Sequence, residues 1–170
     1  MIKFDYTIHG PWTTTGDDLQ YRLEEKEDAI YLSFQGSVSD RDWKNNFDFI
    51  MKPYKNMPVK WYAHRGFINL YKSARDEIVS KYMLLNRTKP LIISGYSQGA
   101  ALAVLAHEDM KFTFPDADVK TYAFAPPRVI WMPKKAIKER FSDVTLIIRR
   151  GDLVTHIPFF IMGFIHCGTK

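Results

Sequence analysis

A serine flanked by glycines lies where a predicted strand meets a predicted helix. Residues 95–99 read G-Y-S-Q-G, after the apolar run 91–94 and before an alanine-rich segment that extends to about residue 110. Glycines on either side of Ser97 remove side chains that would collide in a tight turn, and they let the serine adopt an unfavourable backbone conformation. Such a turn points the hydroxyl off the end of a sheet, where a helix N-terminus stabilises a developing oxyanion. We predict that Ser97 is a nucleophile and that the Gln98 N–H is an oxyanion donor.

Asp152 is the second candidate for chemistry. It follows the predicted strand 144–148 after a charged turn. A carboxylate at that position lies at the sheet edge that carries Ser97, where it can orient and stabilise a histidine base. The alternative interpretation is an ordinary turn aspartate.

Strands and helices alternate along the chain. Residues 19–23 and 29–34 predict a hairpin, and strands are predicted at 59–63, 91–94, 119–125 and 144–148. Helices are predicted at 39–50, ended by Pro53, and at 66–85, 98–110 and 133–141. The alternation indicates an α/β fold in which a mostly parallel central sheet is covered by helices on both faces. We expect one domain over residues 1–170.

Composition restricts the possible settings and partners. The formal net charge is +5, but Lys and Arg are scattered among nineteen acids, so we predict no nucleic-acid partner. A single cysteine, Cys167, excludes an internal disulfide, and with no signal-peptide pattern at the N-terminus we expect a cytoplasmic protein. There is no H-E-x-x-H motif, and we predict neither metal nor cofactor. The apolar segment 158–165 could line an acyl pocket, meet a lipid surface or form a core strand.

Five stretches, in order, resemble the motifs of the class 3 lipases. F-Q-G-S at 34–37 with D-W at 42–43 is similar to the family's strand end and lid, and H-R-G-F at 64–67 to its H-x-G-F. The elbow at 95–99, the strand Y-A-F-A-P-P-R-V at 122–129 and G-D-L-V-T-H-I-P at 151–158 resemble the other three. Each motif alone is weak, but five in the family's order are specific.

The resemblance implies an α/β-hydrolase fold and a role for each matching residue. Ser97 would be the nucleophile, Asp152 the acid of the triad, and Ser37 a second oxyanion donor beside Gln98. The helix 39–50 would be a lid, with Trp43 near the acyl chain. Ser37 as a turn residue and Trp43 as a core aromatic are the plainer alternatives. Tyr96 and Gln98 depart from the family's usual histidine and leucine.

The histidine base is the uncertain member of the triad. A serine needs a base within hydrogen-bonding reach, and the order Ser, Asp, His leaves His156 and His166. The plainer interpretation of His156 is a loop histidine that hydrogen-bonds its own turn. In the family, the counterpart of His166 is not the base. Either His166 has been recruited, or the base lies in a C-terminal segment that the 170 residues lack.

The function that these residues and the resemblance predict is hydrolysis of carboxylic esters. The expected substrates are lipid or acylglycerol esters, met at a lipid interface, or other small esters. A binding protein that kept the fold without the base, and an acyltransferase or peptidase that uses the same serine, are the alternatives. The oligomeric state is not predicted.

Overall fold

The computed structural model describes residues 11–15, 19–36, 50–54, 61–149, 151–158 and 160–169. The predicted lid helix, Ser37 and Trp43 lie outside these residues, apart from Ile50, which is not helical. The strands are β1 Thr13–Thr14, β2 Gln20–Glu25, β3 Ile30–Phe34, β4 Met51–Tyr54, β5 Trp61–His64, β6 Leu91–Tyr96, β7 Val119–Phe124, β8 Ile130–Trp131, β9 Val144–Ile147 and β10 Phe164–Ile165. The helices are α1 Arg65–Met83, α2 Gln98–Thr113 and α3 Lys135–Glu139.

A six-stranded sheet in the order β1-β2-β3-β6-β7-β9 forms the centre of the fold. The predicted hairpin is present as the antiparallel pair β2–β3, and β3, β6, β7 and β9 run parallel. Because these parallel strands share one direction, their carboxyl ends meet at one edge of the sheet. The predicted mostly parallel sheet is confirmed.

The helices α1 and α2 pack on each other against one face of this sheet. On β7, Thr121 of that face is buried and bonds His107 of α2 at 2.9 Å. On the opposite face Lys120 is exposed and Tyr122 is half-buried. Helices on the second face, which were also predicted, are not among the described residues.

The helix α2 is held by two buried polar contacts near its C-terminal end. The Asp109 carboxylate accepts hydrogen bonds from the Tyr71 hydroxyl at 2.8 Å and from Arg75 Nε at 2.9 Å, both on α1. The preceding residue, Glu108, accepts from Arg140 Nε at 2.8 Å. A buried carboxylate is tolerated only when it is paired and hydrogen-bonded in this way. These contacts fix α2, and the turn before it, relative to α1 and to the segment after α3.

A smaller antiparallel sheet, in the order β10-β8-β5-β4, lies beside the central one. Its strand β4 corrects the sequence analysis, because Pro53 was predicted to end a helix and instead lies within a strand, opposite Tyr62. Proline is tolerated there because β4 is an edge strand of this sheet and needs no donor on its outer side. None of the helices in the described ranges is long and apolar enough to span a lipid bilayer.

Candidate active site

The strand β6 ends at Tyr96, α2 begins at Gln98, and Ser97 alone makes the turn between them. Its backbone angles are φ 54° and ψ −118°, which few residues other than glycine adopt. Strain of this kind persists only where the surroundings enforce it, and it is concentrated at functional sites. The backbone N–H of Ser97 donates to the Phe124 carbonyl at 2.9 Å, which ties the turn to β7.

The glycines of the motif are required by close packing of backbone on backbone. A Cβ at Gly95 would collide with the Gly99 carbonyl, and it would lie 2.7 Å from the Ala100 nitrogen. A Cβ at Gly99 would collide with the end of β3 and lie 2.7 Å from the Gln35 carbonyl oxygen. The predicted reason for the glycines is therefore confirmed by the geometry of the turn.

The region of the predicted oxyanion hole lies between the ends of β3 and β6. A Cβ at Gly36 would lie 3.9 Å from Ser97 Cβ, so the end of β3 adjoins the nucleophile. In the described part of the chain, the backbone N–H of Gln98 makes no hydrogen bond, as expected in the first turn of a helix. It is therefore available to an incoming oxyanion. Ser37, the other predicted donor, lies outside the described residues.

Asp152 lies in the loop that follows β9, at the same edge of the sheet as Ser97. Its Oδ1 accepts the backbone N–H of Val154 at 3.0 Å, and its carbonyl oxygen accepts the Thr155 hydroxyl at 2.8 Å. These bonds orient the carboxylate and leave Oδ2 without a bond among the described residues. Its role as the acid of a triad stays a prediction.

The two candidate histidines bond the loop that holds Asp152. His156 is exposed, and its Nδ1 lies 2.9 Å from the Asp152 carbonyl oxygen, the contact with its own turn that the plainer interpretation predicts. His166 Nε2 lies 2.8 Å from the Thr155 carbonyl oxygen. Since a carbonyl can only accept, Nε2 of His166 carries the proton and Nδ1 is its basic nitrogen.

No histidine in the described ranges hydrogen-bonds the Ser97 hydroxyl or the Asp152 carboxylate. The structure therefore brings the serine and the aspartate to one sheet edge, without assembling a base between them. The assignment of His166 as that base stays a prediction.

Two other side chains could be mistaken for catalytic groups. His64 is buried between the rings of Phe67 and Phe164, with ring centroids at 4.5 and 5.7 Å, and burial lowers its pKa to about 4. Burial raises the pKa of the Cys167 thiol to about 12, so at neutral pH it is not a thiolate nucleophile. Ser97 is therefore the better nucleophile candidate.

Thr155 is a residue of this site that the sequence analysis missed. It is buried, and its hydroxyl and its carbonyl join the backbone of Asp152 to the ring of His166. The available signal was its position three residues after the aspartate, from which a hydroxyl commonly bonds back to the turn.

Comparison with known proteins agrees with this fold. The family model "Lipase (class 3)" matches residues 31–162, so the chain belongs to the class 3 lipase family. The chain is 29% identical to secreted mono- and diacylglycerol lipase A of Penicillium cyclopium, over 97% of the chain and 53% of that protein. It thus spans about half the length of this curated relative.

Solved structures give the same fold. The chain matches lipase II from Rhizopus niveus with a TM-score of 0.79 at 23% identity, covering 92% of the chain and 62% of that structure. It matches a mono- and diacylglycerol lipase from Aspergillus oryzae with a TM-score of 0.76 at 27% identity, covering 91% and 58%. The α/β-hydrolase fold predicted from the sequence is confirmed.

Proposed function

We propose that the protein hydrolyses carboxylic esters of lipids, with acylglycerols as the leading substrate class, through a covalent acyl-enzyme on Ser97. The observation that carries this proposal is the strained Ser97 turn, with the unbonded N–H of Gln98 beside it. The substrate class is supported by family membership and by the relative that is named a mono- and diacylglycerol lipase.

The proposed reaction combines the Ser97 turn with the roles that the family resemblance implies. The Ser97 oxygen attacks the ester carbonyl carbon while a histidine accepts its proton, and the Gln98 N–H and Ser37 hold the oxyanion. The C–O bond of the ester then breaks, and the alcohol leaves with the proton returned by the histidine. Water repeats the sequence on the acyl-enzyme and releases the acid. Asp152 stabilises the imidazolium that forms in both steps.

The base is assigned to one of two places. It is His166, with Nδ1 as the basic nitrogen, or it is a histidine of a segment downstream of residue 170. The first alternative requires the His166 ring to move towards Ser97, because no hydrogen bond joins the two side chains in the described part of the chain.

A second candidate function is binding without catalysis. It is favoured by one observation, that no histidine bonds Ser97 in the described part of the chain. A protein of this kind would hold a lipid ester at the turn without cleaving it.

The deciding experiment measures labelling by a fluorophosphonate probe and hydrolysis of p-nitrophenyl butyrate. Wild type should label and turn over, and Ser97→Ala should lose activity by about 10⁴-fold or more. If His166 is the base, His166→Ala should fail like Ser97→Ala, whereas the matched control His156→Ala should stay active.

A silent wild type would contradict the assignment of His166. In that case a chain extended downstream is tested in the same assay. Activity gained on extension would place the base there, and an extended chain that binds lipid esters without cleaving them would overturn the hydrolase proposal.

A further inference from the structure

Two segments that are distant in the sequence meet at the small sheet and form one exposed surface. The strand β8 pairs with β10, Trp131 Nε1 donates to the Met162 carbonyl at 3.0 Å, and the Met132 N–H donates to the Gly163 carbonyl at 2.9 Å. We call residues 131–135 and 160–163 the loop surface.

The two segments that contribute to the loop surface, residues 126–138 and 147–168, carry the entire net charge of the sequence. Segments 126–138 and 147–168 contain six Lys and Arg residues and one acid, whereas the rest of the chain contains eighteen of each sign. Lys134 and Arg149 are exposed, and neither pairs with an acid in the described ranges. Lys135 is 91% exposed, and its pair with Glu139 is long, at 3.8 Å. The positive charge is therefore both concentrated and uncompensated.

The same surface carries large apolar side chains that project into solvent. Ile161 is 93% exposed and Phe160 70%. The turn Phe160–Met162 is held from behind by the Trp131 hydrogen bond, so its side chains form a supported projection. An apolar projection of this kind can insert into a lipid surface, where acyl chains pack around it.

We propose that the loop surface binds the surface of an anionic phospholipid membrane. The exposed apolar side chains of the turn enter the acyl region, while Lys134 and Lys135 contact phosphate groups. Charge complementarity favours this partner, because an uncharged lipid surface would offer no attraction to the concentrated positive charge. The inference rests on the proposed function, because it gives an enzyme of lipid esters its route to the substrate surface.

Vesicle flotation tests the proposal with the intact chain. Wild type should float with vesicles of phosphatidylcholine mixed with phosphatidylglycerol, much less with phosphatidylcholine alone, and less at high salt. Lys134→Ser should weaken binding about fivefold. The control Lys72→Ser removes an exposed charge from the outer side of α1 and should bind like wild type.

A second pair of variants tests the apolar contribution. Ile161→Ser should weaken binding about tenfold. Its control is Leu84→Ser, which removes a side chain that is 86% exposed at the far end of α1 and should have no effect. Circular dichroism checks that all four variants fold.

Three results would overturn the proposal. They are equal binding to both vesicle types, equal losses in the variants and their controls, and a dimer without lipid that Ile161→Ser abolishes. The last result would assign the surface to a second copy of the chain. Ser97→Ala should float like wild type, so vesicle binding can fail while ester hydrolysis persists, or persist while hydrolysis fails.

Discussion

The backbone N–H of Ser97 donates a 2.9 Å hydrogen bond to the carbonyl oxygen of Phe124, the last residue of β7. On the other side of the turn, Gly99 packs directly on the end of β3. The turn is therefore held by both strands that neighbour β6, and this enforces the strained conformation of Ser97.

Ser97→Gly should stabilise the protein while it removes the nucleophile. Glycine adopts φ 54° without strain, so we expect a gain of about 1 kcal/mol in the free energy of unfolding. Ser97→Ala is the matched control, because alanine keeps the strain and should give no such gain. Urea unfolding of the three proteins measures the difference, and equal stabilities would show that the turn is not strained.

Gly99→Ala should destabilise the protein strongly. Its Cβ would lie 2.7 Å from the Gln35 carbonyl oxygen, and two backbones cannot separate without moving β3 from α2. We expect a loss of about 3 kcal/mol in the free energy of unfolding. Gly151→Ala is the control, because φ is +85° there but nothing lies within 4 Å of the added Cβ. It should cost only about 1 kcal/mol, and equal losses in the two variants would refute the packing argument.

Asp109→Asn should also be costly, because it breaks a buried ion pair from one side. The change removes the buried partner of Arg75 and leaves only its exposed pair with Asp76, and we expect a loss of about 3 kcal/mol. Asp143→Asn breaks the exposed pair with Lys111 and should cost less than about 1 kcal/mol. Thermal or urea unfolding separates the two cases, and a larger loss at Asp143 would contradict the assignment.

Stability should fall in acid because His107 is buried in its neutral form. Burial lowers its pKa from 6.5 to about 4, so between these pH values the unfolded chain binds more protons than the folded one. The contribution of His107 to the free energy of unfolding should therefore fall by about 3 kcal/mol as pH falls from about 6.5 to about 4. Urea titrations across this range measure the slope.

Replacement of His107 by Gln should reduce the pH dependence of the free energy of unfolding by the contribution of one bound proton. Burial lowers the pKa of His64 to about 4 as well, so replacing His64 in addition should remove a second proton from the slope. An unchanged slope in the His107 variant would show that its ring is already accessible to protons in the folded state.

The sequence predicted the central sheet well because its signals are local. The apolar run that became β6, the helical spacing of α1 and the glycines around Ser97 each act over a few residues. The sequence does not reveal strand β4, because Pro53 by itself indicates the end of a helix. A proline is tolerated in a strand only where that strand lies at the edge of its sheet. That information belongs to the tertiary fold.

The sequence predicts the site residues that depend on a single turn, but it does not predict contacts between segments that are separate in the sequence. Ser97 and Asp152 follow from strand ends, whereas the bond between His166 and Thr155 requires two segments to meet. The same holds for the loop surface. Lys134 and the turn Phe160–Met162 are separate in the sequence, and the pairing of β8 with β10 brings their segments together.

The six residues from Phe164 to Thr169 pair with strands of both sheets. The strand β10 pairs with β8 in the small sheet, and Thr169 bridges Thr145 of β9 in the central one. On the ribosome, a nascent chain that has not yet released this segment exposes β8 and β9 as open strand edges, which favour pairing with other chains. Productive folding of both sheets therefore waits for the same short stretch of polypeptide to emerge.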